Sequence, residues 1–502
     1  MSQRICSLPR QFGRLAAGEE TAHAADMTRL FLALRYGAAV CFLATASSPA
    51  ETNEVRHQDI SIQAPFTMPA IKIPMFPVRE FVVTDFGAVE GGKTNISAAI
   101  HQAITACHSA GGGRVVIPRG KWLTGKVHLQ SNVNLHLAEG ATLYFSARPE
   151  DYLPAVQSSW EGTECFNYSP LIYAFGCTNV ALTGKGTIEA RMDIWKQWFT
   201  RPPAHLEALK QLYHFAYTNA PVAQRQMAVG ENHLRPQFVQ FNRCRQVLIE
   251  DIKIRNSPFW TIHLLLSEDV VVRRVDIVAR NRNNDGIDPE MTRNLLVEDC
   301  RFDQGDDAIA IKAGMDFDGR RLNTPSENIV VRNCTMVRGH QLVAIGSELS
   351  GGIRNVYVHD CRFENDATNP PQNIVFIKTN RRRGGFVENI HVENITAKST
   401  KFGVLGIDTD VLYQWRDLVP TYEERLTPVR GIHLKNIQVE ETDTPIKIAG
   451  DLKLPVKDVF LENITANQAN NLTNSYANAE NVRETNLRIL KVTRQVGPEG
   501  EK

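Results

Sequence analysis

The chain has 502 residues, with 56 Lys+Arg against 55 Asp+Glu, a net charge of +1, 43% apolar and 22% charged residues. This balance excludes a polybasic nucleic-acid binder or an acidic disordered tail as the main theme, and the apolar content excludes wholesale disorder. The length exceeds one compact domain of ~100–200 residues unless the fold grows along one axis.

Near the N-terminus, Arg29 and Arg35 flank the start of an apolar run, Tyr36 to Ala46, that ends in Ala44-Thr45-Ala46. The run is too short to span a bilayer, which takes ~20 residues, and its small-x-small end reads as a cleavage site. Residues 1–46 therefore read as an upstream extension plus a signal peptide, with Met27 as the functional start and Ser47 opening the mature chain. The expectation is a secreted or periplasmic protein. A buried N-terminal helix is the alternative, and Val40 before Cys41 speaks against a lipid anchor. No other segment reads as a membrane span. Residues 47–79 read as a linker and first strand. Asn95 to Ala110 reads as a helix, with Ile96, Ala99, Ile100, Ala103 and Ile104 on one face and Gly111-Gly112-Gly113 as its stop.

Residues 247–464 are dominated by one phrase: apolar, any, apolar, any, Asp/Asn, apolar. It begins at Val247, Val270, Leu295, Ile329, Val356, Ile390, Ile432 and Val459, with offsets of 23, 25, 34, 27, 34, 42 and 27 residues. Its period of two makes each copy a strand with one buried face, and the Asp/Asn is turn chemistry. Strand-turn units with length changes confined to loops predict an all-β fold, a single-stranded parallel β-helix over residues 80–470. The helix near residue 100 would seal its N-terminal mouth, and residues 471–502 read as a C-terminal tail. Cys300, Cys334 and Cys361 share the last position of the phrase and are expected to stack inside the coil. Cys165 and Cys177 are the likelier pair if any disulfide forms.

Met192 to Asn232 breaks the rhythm. It is rich in aromatics, and Leu206, Leu209 and Leu212 give it a helical period. It is read as a lid closing one end of a cleft, against the alternative of a packed insertion with no role there. Trp160 to Tyr168 and Tyr413 to Trp415 are further aromatic stretches able to contact a sugar.

The polar residues cluster before the second apolar phrase of three coils: Asn283-Asn284-Asp285-Gly286, Gly305-Asp306-Asp307 and Gly339-His340-Gln341. Asp306 lies 11 residues after Leu295 and His340 lies 11 after Ile329, so they fall on adjacent coils ~4.8 Å apart. Asp285 reaches the same face one coil earlier. Carboxylates this close resist full ionisation, and a carboxylic acid beside a carboxylate is the equipment of glycosidic-bond hydrolysis. An Asp ladder that binds calcium, or merely solvated turns, is the plain alternative.

These motifs, with Ile377-Lys378, Asp85-Phe86-Gly87-Ala88 and Gly111-Gly112-Gly113, resemble the polygalacturonases of glycoside hydrolase family 28 across roughly residues 80 to 465. The resemblance implies a right-handed β-helix and inverting hydrolysis. It implies Asp306 as general acid, Asp285 and Asp307 holding and deprotonating the attacking water, and His340 tuning the acid. Asn283, Lys312 and Lys378 are expected to bind substrate, Lys378 through a galacturonate carboxylate, and Tyr413 to contact sugar. Two departures stand out: Gln341 replaces a second Gly, and Phe376 replaces the Arg of an Arg-Ile-Lys motif. Arg382 and Arg383, within Arg381-Arg382-Arg383, are the expected replacement guanidiniums. The expected function is exo-acting hydrolysis of galacturonate chains, with rhamnogalacturonan or another branched pectin as the alternative substrate. A polysaccharide lyase and a non-catalytic carbohydrate-binding β-helix are the competing classes. The expected partner is a pectic polysaccharide or oligogalacturonide, with no nucleic acid, no metal and no cofactor, and the protein itself is expected to be a monomer.

Overall fold

The period-two phrases form strands because their β-branched and Leu residues point into one shared core. Val247, Ile249, Val270, Val272, Leu295, Val297, Ile329 and Val331 are all fully buried. The strands pair in parallel with equivalent positions in register, Val247 to Val270, Val270 to Leu295, Leu295 to Ile329 and Ile329 to Val356. A computed structural model describes residues 59–365, 369–411 and 423–493. Among these, the chain winds into a parallel β-helix, right-handed as parallel crossovers are. Each rung lays one strand on an 11-stranded sheet and the rest on the long sheet system behind it. The signal segment lies outside the described residues, and no described helix is long and apolar enough to cross a membrane.

The Asp/Asn position of the phrase is where the chain leaves each strand. Asp251, Arg274, Asp299, Asn333, Asp360, Asn394, Asn436 and Asn463 all have φ between 53° and 63°. Asp and Asn tolerate this left-handed conformation best, which is why they recur there. Their side chains also bond rung to rung, Asn463 to Asn436 at 3.0 Å and Asn436 to Asn394 at 3.1 Å.

Helix α1, Ser97–Ser109, buries Ala99, Ile100, Ala103, Ile104 and Cys107 against the first rung. Asn95 Oδ1 accepts from the Ser97 amide at 2.9 Å, so the helix begins two residues later than its sequence pattern does. Residues before 80 are more than a linker. Asp59–Ile60 and Ile71–Lys72 pair antiparallel, and Ile62, Ile71 and Ile73 cover Ala181, Leu248, Val271, Leu296 and Val330. Those last five are the outward-facing members of their strands, and this strap is what keeps them from water.

Residues 471–493 are not a tail. Ser475–Ala477 and Ala479–Val492 add one more rung, the first paired with Ile446–Ala449 and the second along Val456–Ala469. Its residues face solvent at the end of the stack, so its polar composition hid the strand. Cys300, Cys334 and Cys361 do stack inside the coil, 1%, 0% and 2% exposed, with the Cys334 amide donating to Cys361 Sγ at 3.4 Å. Cys165 and Cys177 form no disulfide. The first is packed with Trp160, Leu209 and Leu212, and the second exchanges a thiol hydrogen bond with Cys244.

Candidate active site

The site grows from the turns that feed the 11-stranded sheet. Strands Ile287–Glu290, Ile309–Ile311, Gln341–Gly346 and Asn373–Lys378 stack in register through Ile287, Ile309, Val343 and Val375. The residues just before each strand are thereby stacked too. The Gly286 amide donates to Asp307 O at 3.0 Å and the His340 amide to Asp306 O at 2.8 Å. Gly339 makes the second contact feasible: its φ is +145°, and a Cβ there would lie 2.5 Å from Asp306 O.

Asp285, Asp306, Asp307 and His340 thus line one cleft of about 630 Å³, within the size range of ligand sites. Asp306 Oδ1 lies 2.9 Å from His340 Nδ1, and Asp307 Oδ2 accepts from Lys378 Nζ at 2.9 Å. Lys312 Nζ sits 3.2 Å from Glu348, 3.8 Å from Asp285 and 3.9 Å from Asp288. The acids do not simply face solvent: Asp285 is 4% and Asp307 1% exposed. The hairpin Val156–Trp160/Thr163–Asn167 and the 192–232 insertion, whose helix α2 spans Pro203–Tyr217, reach the same cleft through Glu161 and Arg201. The insertion is no passive surface loop. Leu209, Leu212 and Tyr213 of α2 pack with Trp160, Phe259 and Trp260 in a second core, and Arg201 lines the cleft.

Burial, and then the charge of Asp306, push the Asp285 carboxyl well above the usual range; Asp288 is raised by burial and by Asp285. One or more protons therefore stay in this group near neutral pH. Burial would raise Asp306 too, but the hydrogen bond and charge of His340 outweigh it and hold Asp306 low. Burial would lower His340, yet Asp306 raises it above 6.5. The proton of that pair thus rests mainly on the imidazole. Burial lowers Lys312, but Glu348, Asp285 and Asp288 more than reverse this; Glu348 is held at about 2, burial overcome by Lys312 and Arg383.

Lys378 joins the cleft with its side chain 13% exposed, and Asn283 lines it while accepting from Arg235 at 3.1 Å. Lys312 joins it as well, ringed by carboxylates and cationic over the Trp260 ring at 4.6 Å. The arginine triplet does not. Arg383 is 3% exposed and bonded to Asp316 and Ser347 O, Arg381 pairs with Glu424 and Asp451, and Arg382 lines a separate small hollow beside Tyr217. Gly384 and Gly385, at φ 62° and 66°, turn the chain just after the triplet. The guanidiniums that do reach the cleft are Arg201 and Arg282. Trp160 is 1% exposed and inside the second core, while its neighbour Glu161 lines the cleft. Tyr413 and Trp415 lie outside the described residues.

Asp288, Glu348, Arg201 and Arg282 were missed, and Glu161 was read only as part of the Trp160 to Tyr168 stretch able to contact a sugar. Asp288 alone carried a readable signal, as the outward neighbour of inward-facing Ile287; the others arrive through a hairpin, a turn and an insertion with no repeat register. Phe376 lies on the cleft wall over Gly406, where a Cβ would come within 2.8 Å of its ring. Donor atoms of Asp306, Asp307 and His340 lie within 4.8 Å of one another. A divalent cation there would have to displace the Lys378 ammonium from Asp307, so the group fits a metal poorly.

The family model described as Glycosyl hydrolases family 28 matches residues 223–487. An exopolygalacturonase of known structure from Thermotoga maritima is 36% identical and superposes with a TM-score of 0.76, covering 84% of this chain and 94% of that one. A probable polygalacturonase of Vitis vinifera is 28% identical over 404 residues, 77% of this chain and 74% of its own length. An exo-poly-alpha-D-galacturonosidase of Dickeya chrysanthemi is 28% identical over 300 residues, 55% of this chain and 48% of its own.

Proposed function

The chain belongs to glycosyl hydrolases family 28, and from that premise we propose how its cleft works. It is a glycoside hydrolase acting on pectic polysaccharide. The observation that carries the chemistry is the wall of Asp285, Asp306, Asp307 and His340 on consecutive rungs, with Lys378 at its far side.

Asp306 and His340, 2.9 Å apart, act as one acid holding one proton. As the glycosidic oxygen approaches, Asp306 delivers that proton to the leaving oxygen and His340 is left neutral. Asp307, hydrogen-bonded by Lys378, takes a proton from the attacking water, and Asp285, whose carboxyl is raised by burial, orients that water. Lys378 shares its charge with the carboxylate of a galacturonate unit. Inversion rests on family membership, because the 4.8 Å limit on the Asp306–Asp307 donor atoms falls short of the ~6.5–9.5 Å usual between inverting carboxyls.

Arg201 from the insertion lines the cleft, and an insertion that reaches into the cleft supports exo action on galacturonate chains. Phe376, in the place of an arginine, favours one second reading: a leaving-side unit other than plain galacturonate, as in rhamnogalacturonan or branched pectin. The protein is proposed to work as a monomer, in the periplasm or outside the cell if residues 27–46 act as an export signal. Digestion of unesterified polygalacturonate, rhamnogalacturonan and short oligogalacturonates side by side tests these points. Monosaccharide is expected as first product, formed with inverted anomeric configuration by NMR. A ladder of oligomers at early times rejects exo action, and a UV-absorbing unsaturated end would mean lyase chemistry.

A further inference from the structure

The catalytic wall has two sides. Asp285 and Asp307, which meet the attacking water, have cations close by: Lys312 Nζ lies 3.8 Å from Asp285, and Lys378 Nζ donates to Asp307 Oδ2 at 2.9 Å. Asp306 and His340 supply the proton for the leaving oxygen. In an inverting displacement, the water and the leaving oxygen stand on opposite sides of the sugar carbon. The leaving sugar therefore lies past His340, over the next rung. That rung meets His340 directly, because the Gln372 amide donates to His340 O at 2.6 Å. Among the described residues it brings Gln372, Phe376 and Lys378 to the cleft. Lys378 turns back to Asp307, and His340 is answered by Asp306 at 2.9 Å. What remains for the leaving sugar is an aromatic ring and an amide.

Both groups are set in place by their neighbours. Ala310, Ala344, Phe376 and Gly406 occupy matching positions on consecutive strands, so two alanines give a low floor that rises at the ring. The ring lies against Gly406, where a Cβ would come within 2.8 Å of it. Phe376 is half-buried, and its remaining surface lines the cleft. Gln341 Nε2 donates to Gln372 Oε1 at 3.2 Å. This leaves the NH2 end of the Gln372 amide, and among the described residues no protein group accepts from it. A carboxylate seated here would give up water near the Asp306 carboxyl, and the two cations within reach, Lys378 and His340, are already answered. A neutral carbonyl with an apolar group beside it meets no such penalty.

We propose that Phe376 and Gln372 form a binding site for a methyl-esterified galacturonate as the leaving unit. Gln372 Nε2 donates to the ester carbonyl oxygen, and the Phe376 ring takes the methoxy group and the apolar face of the sugar. Rhamnose, also neutral, brings a methyl group but no carbonyl for the amide. This deepens the reading of the cleft as a hydrolase of galacturonate chains and rests on it.

The test compares trigalacturonate with the same trimer methyl-esterified on its second and third units, reading release of the first galacturonate. The leaving unit is ionised in one and neutral in the other, while the unit being cleaved is the same. The wild-type chain is expected to show a kcat/KM on the esterified trimer equal to or above that on the unesterified one. Phe376→Arg shifts the ratio toward the unesterified trimer by roughly 10- to 100-fold, the worth of a hydrogen bond to a charged group. Gln372→Leu raises KM for the esterified trimer by roughly 3- to 10-fold, the worth of a neutral one. A wild type slower on the esterified trimer overturns the proposal, and this comparison decides the matter if a variant does not fold. A ratio unmoved by Phe376→Arg overturns the part given to the ring, and an unchanged KM in Gln372→Leu overturns the part given to the amide. A wild type that cleaves a galacturonate–rhamnose oligomer faster than the esterified trimer overturns the proposal in favour of rhamnose. Release of no galacturonate from either trimer overturns the parent reading along with this one; release from the unesterified trimer only overturns this one alone.

Discussion

Replacing Lys312 with Met tests the electrostatic frame of the cleft. Its ammonium lies 3.2 Å from Glu348, and Glu348 is held at about 2 against an ordinary 4.5. That depression converts, at about 1.4 kcal/mol per pKa unit, to about 3 kcal/mol of stability at neutral pH. Lys312 is the largest of the groups that lower it, ahead of Arg383. The upward shift of Lys312 itself sums three carboxylates, so the Glu348 shift is the better measure of this one pair. Lys312→Met should therefore cost about 3 kcal/mol, in line with breaking a buried pair by removing one partner. Because the folded pKa of Glu348 lies below its unfolded value, this stability is complete above 4.5 and vanishes as pH falls toward 2. The deficit of the variant should thus be largest near pH 7 and shrink near pH 3. Denaturant unfolding followed by tryptophan fluorescence measures it, with Trp260 4.6 Å from the substituted group. A variant as stable as the wild type near neutrality, or a deficit indifferent to acid, would refute the reasoning.

Asp306→Asn, Asp307→Asn and Asp285→Asn should each lower kcat by about 10²-fold or more. Near-UV circular dichroism should stay native, and Asp307→Asn should also melt earlier because Lys378 loses its partner. With His340 raised above 6.5, the acid pair keeps its proton past that pH and kcat/KM should fall only on the alkaline side of it. His340→Asn should move that limb to lower pH, because a lone carboxyl gives up its proton sooner; an unmoved limb in the pH–rate profile would contradict the shared-proton acid. Dialysis against a chelator should leave turnover intact, and activity that returns only with a divalent cation would show that the Lys378–Asp307 contact had been misread.

The rungs and the catalytic wall were legible because both are carried by register. Leu295 to Asp306 and Ile329 to His340 are equal steps in a fold that repeats, so counting residues placed them on adjacent coils. The burial of Asp285 and Asp307 was not legible, since the cleft is completed by Glu161 and Arg201 from segments outside the repeat. The same applies to Arg201 and Glu161: one follows a Trp-rich stretch and the other sits at a hairpin tip, and neither has a neighbour one rung away to betray it. The arginine triplet misled for a related reason. Three adjacent charges look available in a sequence, but Asp316, Glu424 and Asp451 are remote in the chain and claim two of them. The last rung escaped notice because a strand at the end of the stack buries only one edge and needs fewer apolar residues.

That final strand, Ala479–Val492, has a consequence for how molecules meet. A parallel sheet that simply stops offers its outer backbone to any second copy, which is how filaments begin. Here the terminal strand carries Glu480, Arg483, Glu484, Arg488 and Lys491. Another protein docking head-on would have to strip water from this mixed fence of charges, so the spiral discourages its own elongation into fibres.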